Sequence, residues 1–125
     1  MAVNGFRDLM VWGKAKELAK HAYALTKRLP SHERFALASQ VQRAAVSVPA
    51  NIAEGHARGS TREFLHHLSI ARGSLAELET LLVLCEELGY CESREVAELH
   101  RLADEISRML SGMRNSLKRR LQQKS

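Results

Sequence analysis

The chain reads as all-α, a single antiparallel up-down four-helix bundle, and three observations predict it. Apolar residues recur at alternating steps of three and four through four segments, the spacing that lines one face of a helix. No segment alternates strictly like a half-buried strand, and aromatic residues make up only 5% of the chain. Only 2 prolines occur in 125 residues, a length suited to one domain that buries roughly two-thirds of its unfolded surface.

The first helix, about 8–29, carries Val11, Ala15, Leu18, Ala22, Leu25 and Leu29 on its stripe. Leu29-Pro30-Ser31 ends it, because proline disfavours helix in the residue before it and Ser31 can cap the next helix. The second, about 33–57, has Leu37 or Ala38, then Val41, Ala45, Val48 and Ile52. Pro49 sits inside that pattern. A proline there deletes one backbone hydrogen bond and clashes with the Ala45 carbonyl, at a cost of about 3 kcal/mol. The apolar phase nevertheless runs across it in steps of four, three and four, so the segment is predicted to be one helix kinked at Pro49.

The third helix, about 61–88, opens on Ser60-Thr61-Arg62-Glu63, a capping box. Its stripe is Phe64, Leu68, Ala71, Leu75, Leu78, Leu82 and Cys85, and it stops at Gly89. The fourth, about 94–121, runs Val96, Leu99, Ala103, Ile106, Leu110, Met113 and Leu117. Connections of about four to six residues set neighbours antiparallel. Near its end the third helix is apolar almost all round, through Leu81, Leu82, Val83, Leu84, Cys85 and Leu88. A monomer needs only one stripe, so the surplus face predicts a homo-oligomer.

A second row on the kinked helix is polar: Gln40, Arg43, Ser47, Asn51, Glu54 and Arg58. Residues four apart are neighbours, so Glu54 can pair with Arg58, while Ser47 and Asn51 can serve backbone groups disturbed near Pro49. Glu54 as a general base would need a partner nucleophile or acid, and none is identifiable. The row is therefore read as a structural seam of Ser47, Asn51, Glu54 and Arg58.

Several function classes lack their signatures. There is no Gly-rich phosphate loop and no Gly-x-Ser-x-Gly elbow. Glu63-Phe64-Leu65-His66 matches the Glu-x-x-His unit of di-iron bundles, but the second unit those sites need is missing and Glu63 already serves as a cap. No metal or other cofactor is expected. Cys85 and Cys91 have no zinc spacing and are read as reduced thiols. The longest apolar run, Leu81–Cys85, is far short of the ~20 residues of a membrane span, and no signal peptide is evident, so no membrane role and a cytoplasmic location are expected.

The charge is uneven. Net charge is +5, but residues 60–90 carry two basic and five acidic side chains, whereas 106–125 carry six basic and none acidic. That asymmetry points to a polyanionic partner, RNA or DNA. Arg114, Lys118, Arg119, Arg120 and Lys124 form a dense basic end, and Lys16, Lys20 and Lys27 add a row on the first helix. Such groups would neutralise phosphates with salt-sensitive, sequence-independent affinity. No aromatic residue interleaves with the terminal cluster, so base stacking is not expected there. The alternative is a protein interaction scaffold, whose surplus apolar face meets another chain.

The chain also resembles the 23S rRNA-intervening sequence proteins. Phe6-Arg7-Asp8-Leu9 with Val11-Trp12 and Ala15, Glu33, and Gln40-Val41-Gln42-Arg43-Ala44-Ala45 are similar to that family. Ser47-Val48-Pro49-Ala50-Asn51-Ile52-Ala53-Glu54-Gly55 is the most recognisable stretch, followed by Glu63-Phe64, Gly73 to Glu79 and Leu88-Gly89-Tyr90. The resemblance covers nearly the whole chain and fades after about Ser93. It implies a bacterial, non-enzymatic four-helix bundle, mostly without an assigned activity. A related branch, the accessory variability determinant of diversity-generating retroelements, forms a homopentamer that binds nucleic acid and a reverse transcriptase. A pentamer is thus what the resemblance implies here; reverse transcriptase binding is not carried over.

Overall fold

The computed structural model describes residues 5–123, and these form four helices with no strand among them. They are α1 (Met10–Thr26), α2 (Leu37–Ala57), α3 (Thr61–Glu87) and α4 (Ser93–Gln123). The helices pack in a ring, α1 on α2, α2 on α3, α3 on α4 and α4 on α1. Paired positions run in opposite order along neighbours. Ser47 meets Ser74 and Asn51 meets His67 across α2 and α3. Lys14 meets Glu105 and Arg28 meets Glu95 across α1 and α4.

The apolar stripes of all four helices meet in one core. Leu18, Ile52, Leu68, Leu78, Leu82, Ile106 and Leu110 are its largest fully buried side chains. Phe64 and Met113 lie at its margin, only partly buried. The helix runs unbroken through Pro49, with Val48 and Ile52 both buried completely. Phase continuity of the apolar face therefore outweighs the missing donor at Pro49.

The first two helices are shorter than the periodicity suggests. α1 is preceded by a 3-10 turn at Gly5–Asp8, and after Thr26 the chain closes with tighter bonds, Lys27 N–H to Ala24, Arg28 to Leu25 and Leu29 to Thr26. These three-residue closures serve carbonyls that a helix end leaves free. α2 begins four residues later than expected, behind a 3-10 turn at Ser31–Glu33. Ser31 does not cap it. The cap comes from Glu33, whose Oε1 accepts the Leu37 N–H at 3.3 Å. The reason is geometric: the intervening turn moves the first free amide beyond the reach of Ser31.

The second oxygen of Glu33 accepts the Tyr90 hydroxyl at 2.9 Å, and Tyr90 N–H in turn bonds to the Cys85 carbonyl at 2.9 Å. One carboxylate thus fastens the start of α2 to the connection between α3 and α4. Thr26, a buried polar residue, is also satisfied: it donates to the Tyr23 carbonyl at 2.7 Å and accepts from Gln42 at 3.0 Å.

Cys85 and Cys91 are both buried and form no disulfide with each other. Burial pushes the Cys85 thiol from its ordinary value of 9.0 up to about 11. The hydrogen bond to Glu33 likewise raises Tyr90. A thiol with a raised folded-state value stays protonated in the fold while the unfolded chain releases its proton, so stability present below pH 9 is lost as pH rises toward about 11. Urea denaturation across that alkaline window should show a shallower loss for Cys85→Ala than for wild type; equal slopes would contradict the assignment.

Candidate nucleic-acid interface

The second-helix signature sits where α2 presses on α3. Ser47 Oγ lies 2.7 Å from Ser74 Oγ, and the Asn51 side-chain N–H donates to the Ser47 carbonyl at 2.9 Å and to its Oγ at 3.0 Å. A carbonyl can only accept, so the Asn51 amide nitrogen must face Ser47 and its Oδ1 must face His67. The contact from His67 Nδ1 to that oxygen is 3.0 Å, which assigns the ring proton to Nδ1. His67 is buried, and nothing in the spacing along α2 identifies it as a member of the row.

One turn on, Gly55 permits the closest approach. A Cβ there would lie 2.6 Å from the His67 Cβ and 3.2 Å from the Phe64 ring. The expected seam therefore divides. Ser47 and Asn51 join the half-buried ladder to α3, whereas Glu54 and Arg58 are exposed and form an ion pair at 2.7 Å. Arg58 also reaches Glu63 at 3.5 Å. That hydrogen bond from Arg58 holds the Glu54 carboxyl below its ordinary value, the opposite of what a proton acceptor near neutrality needs. Ser60 accepts the Glu63 N–H at 3.1 Å as its cap, while the Glu63 carboxylate turns to Arg58.

The basic candidates separate into two groups. Lys14 pairs with Glu105, so Lys16 is level with about residue 103 of α4, and Lys118 lies fifteen residues further, about 22 Å along the axis. On α1, Lys16 sits over the Trp12 ring at 4.1 Å and Lys20 is 3.5 Å from Glu17, so both have partners in the chain. Lys27 is exposed. The lysine row and the terminal cluster do not form one continuous patch.

The terminal cluster is better placed. Lys118, Arg119 and Arg120 are exposed and, among the described residues, free of ion pairs. Arg114 is half-buried, and its Nε is buried with no hydrogen-bond partner there. Lys124 lies outside the described residues. Arg62, on the first turn of α3, is exposed at the same end; its distance along the sequence hides it from a reading of the terminal cluster. Of the acids near this end, Glu54 and Glu63 are both occupied by Arg58, while Asp8, next to Leu9 ahead of α1, is exposed.

No aromatic residue interleaves with the terminal cluster along the chain, but the fold brings one beside it. A hollow of about 360 Å³ brings Leu9, His56, Phe64, Met113, Leu117 and Arg120 together, uniting four separate segments of chain. The linear sequence hides this signal because Phe64 and His56 lie more than fifty residues from Arg120.

Among the described residues no group of three or more His, Cys, Asp and Glu could hold a metal ion, and no helix is long and apolar enough to cross a membrane. Replacing Gly55 by Ala should destabilise the fold by about 1–3 kcal/mol through overpacking against His67. Gly112→Ala, on an open helical face with nothing within 4 Å, should be neutral or stabilise by up to ~1 kcal/mol. Thermal denaturation of the two variants checks this contrast.

No curated protein matches the chain. A solved structure from Bacteroides thetaiotaomicron, a protein of unknown function from the S23 ribosomal protein family, is similar to it with a TM-score of 0.78. The two share 26% identity over 84% of this chain and 98% of that one. The family model described as 23S rRNA-intervening sequence protein matches residues 7–112 of the chain. By that match the chain belongs to the 23S rRNA-intervening sequence protein family.

Proposed function

We propose that this chain is a non-enzymatic, self-associating helical bundle that holds nucleic acid by its phosphate backbone, at the end where α4 finishes. The observation that carries this reading is the gathering of Arg62, Lys118, Arg119 and Arg120 at one end, exposed and without ion pairs among the described residues. Elsewhere on α4 the cations are neutralised: Arg101 by Glu98 and Glu105, and Arg108 by Asp104. Lys118, Arg119 and Arg120 are successive and point about 100° apart around the helix, so they suit a backbone that wraps an end better than one lying in a groove.

Phosphate neutralisation releases counterions, so binding should weaken linearly in log–log terms as salt rises. Fluorescence anisotropy against ribosomal RNA fragments, single-stranded DNA and duplex, at two salt concentrations, tests the proposal. Replacing Lys118, Arg119 and Arg120 together by Gln should lower the salt slope by up to about 3 for a duplex. No binding at low salt would overturn the reading.

Self-association is supported by the outer surface of α3. Leu81, Leu82 and Cys85 are buried within the chain, but Val83, Leu84 and Leu88 are 42%, 42% and 56% exposed, and Ile70 lies two turns or more before them on the same helix at 38%. A second copy covering these side chains removes that apolar area from water. The expected assembly is the pentamer that the family resemblance implies. Sedimentation should give a mass several times 14.0 kDa, and Leu84→Lys, at a position already exposed, should release monomers without unfolding them. A wild-type monomer at micromolar concentration would remove this part.

A further inference from the structure

The hollow at the basic end has a composition that phosphate binding alone does not require. Two adjoining depressions, about 300 and 360 Å³, share His56, Phe64, Leu117 and Arg120. Both lie within the ~300–1,000 Å³ range of small-ligand sites. The shared floor is apolar, formed by Phe64 and Leu117. Leu9 and Met113 extend it on one side, and Thr61 and Ser116 place hydroxyl groups on the rim. His56 and Phe64 meet edge to face, with ring centroids 5.5 Å apart and planes at 90°. Arg120 is exposed at the mouth and has no ion-pair partner among the described residues.

We propose that this hollow takes one unstacked base of a single-stranded nucleic acid, with an adjoining phosphate held by Arg120. The inference rests on the reading that the basic end binds nucleic acid, and it adds which form is preferred. A flat, apolar-faced base carries its own polar edge and an anion a few ångströms away. The hollow offers the complementary set: an apolar floor with an aromatic ring, a hydroxyl rim and one free guanidinium. Base–aromatic contact tolerates any sequence, since every base has a π-face. In a duplex the bases are paired and stacked, so they cannot enter without being extruded at an energetic cost. Single strands should therefore bind more tightly than duplex of equal length, reversing the order that charge density alone predicts.

One other hollow, around Phe35, also joins an aromatic ring to hydroxyl groups and to Lys27 and Arg34, but there the Arg34 guanidinium already lies over the ring, 5.4 Å from its centroid. The one between α1 and α4, about 250 Å³, is lined by Glu95 and Glu98, which repel phosphate. The one near Phe35, at the opposite end of the bundle, provides a matched control.

The test is anisotropy with short fluorescent RNA and DNA single strands and a duplex of the same length, using the full chain. Phe64→Leu and His56→Ala should each weaken single-strand binding about tenfold while leaving duplex binding within about twofold. Phe35→Ala should leave both unchanged. Because Phe64 also touches the core, a second measurement uses wild-type protein: a photoreactive thiouracil in the single strand should crosslink to the His56–Phe64 segment. Equal single-strand and duplex affinity, an equal loss on Phe35→Ala, or crosslinks confined to other segments would overturn the base pocket while leaving backbone binding standing. Absence of any binding at low salt would overturn both.

Discussion

The close approach of α2 to α3 at Gly55 is the constraint on which the rest of the bundle depends. With no side chain at that position, the α2 backbone comes within contact of the His67 Cβ and the Phe64 ring. That proximity brings Asn51 to His67 and Ser47 to Ser74, and it turns four polar side chains into a satisfied ladder. Left unpaired between helices, each such group would cost about 1–3 kcal/mol, so the ladder specifies one register of α2 on α3. Pro49 lies within the same two turns, and Asn51 also serves the Ser47 carbonyl in that stretch. Phe64 and His56 are set in place by the same contact, so the geometry of the basic end follows from it.

Charge is arranged by a different rule. Along the middle of α4 the cations face acids on their own helix, and Glu105 also takes Lys14 from α1, which neutralises the shaft. At the finish of α4 the acids run out, and the two that α2 and α3 bring there are held by Arg58. One arginine thereby masks two carboxylates that would otherwise oppose an anion. Exposed ion pairs of this kind contribute little to stability, so their effect lies in the local field.

The helices and the core are legible in the sequence, since burial follows the three-four spacing almost residue by residue in Val41, Ala45, Val48 and Ile52. Continuation of the helix through Pro49 is legible too, because a preserved apolar phase is a local signal. The helix starts are less readable. Glu33 rather than Ser31 caps α2, and that choice depends on a 3-10 turn with no periodic signature. The polar row divides where the spacing suggests one seam. A single-helix projection gives the angle of a side chain but not what faces it, so it hides the His67 and Ser74 partners. The aromatic hollow escapes a linear reading for the same reason, being assembled from four distant segments.

The Glu33–Tyr90 bond spans 57 positions in sequence and joins the α1–α2 connection to the α3–α4 connection. Those two loops cannot drift in length independently, because an insertion in either would pull the carboxylate from the phenol and uncap α2. The remaining connection, Arg58–Ser60, is held locally instead, by Arg58 reaching Glu63 across it and by Ser60 capping α3, with Gly59 at φ +80° between them. A peptide grafted at Gly59 would leave the tie between the other two loops untouched, and it would border the cationic end.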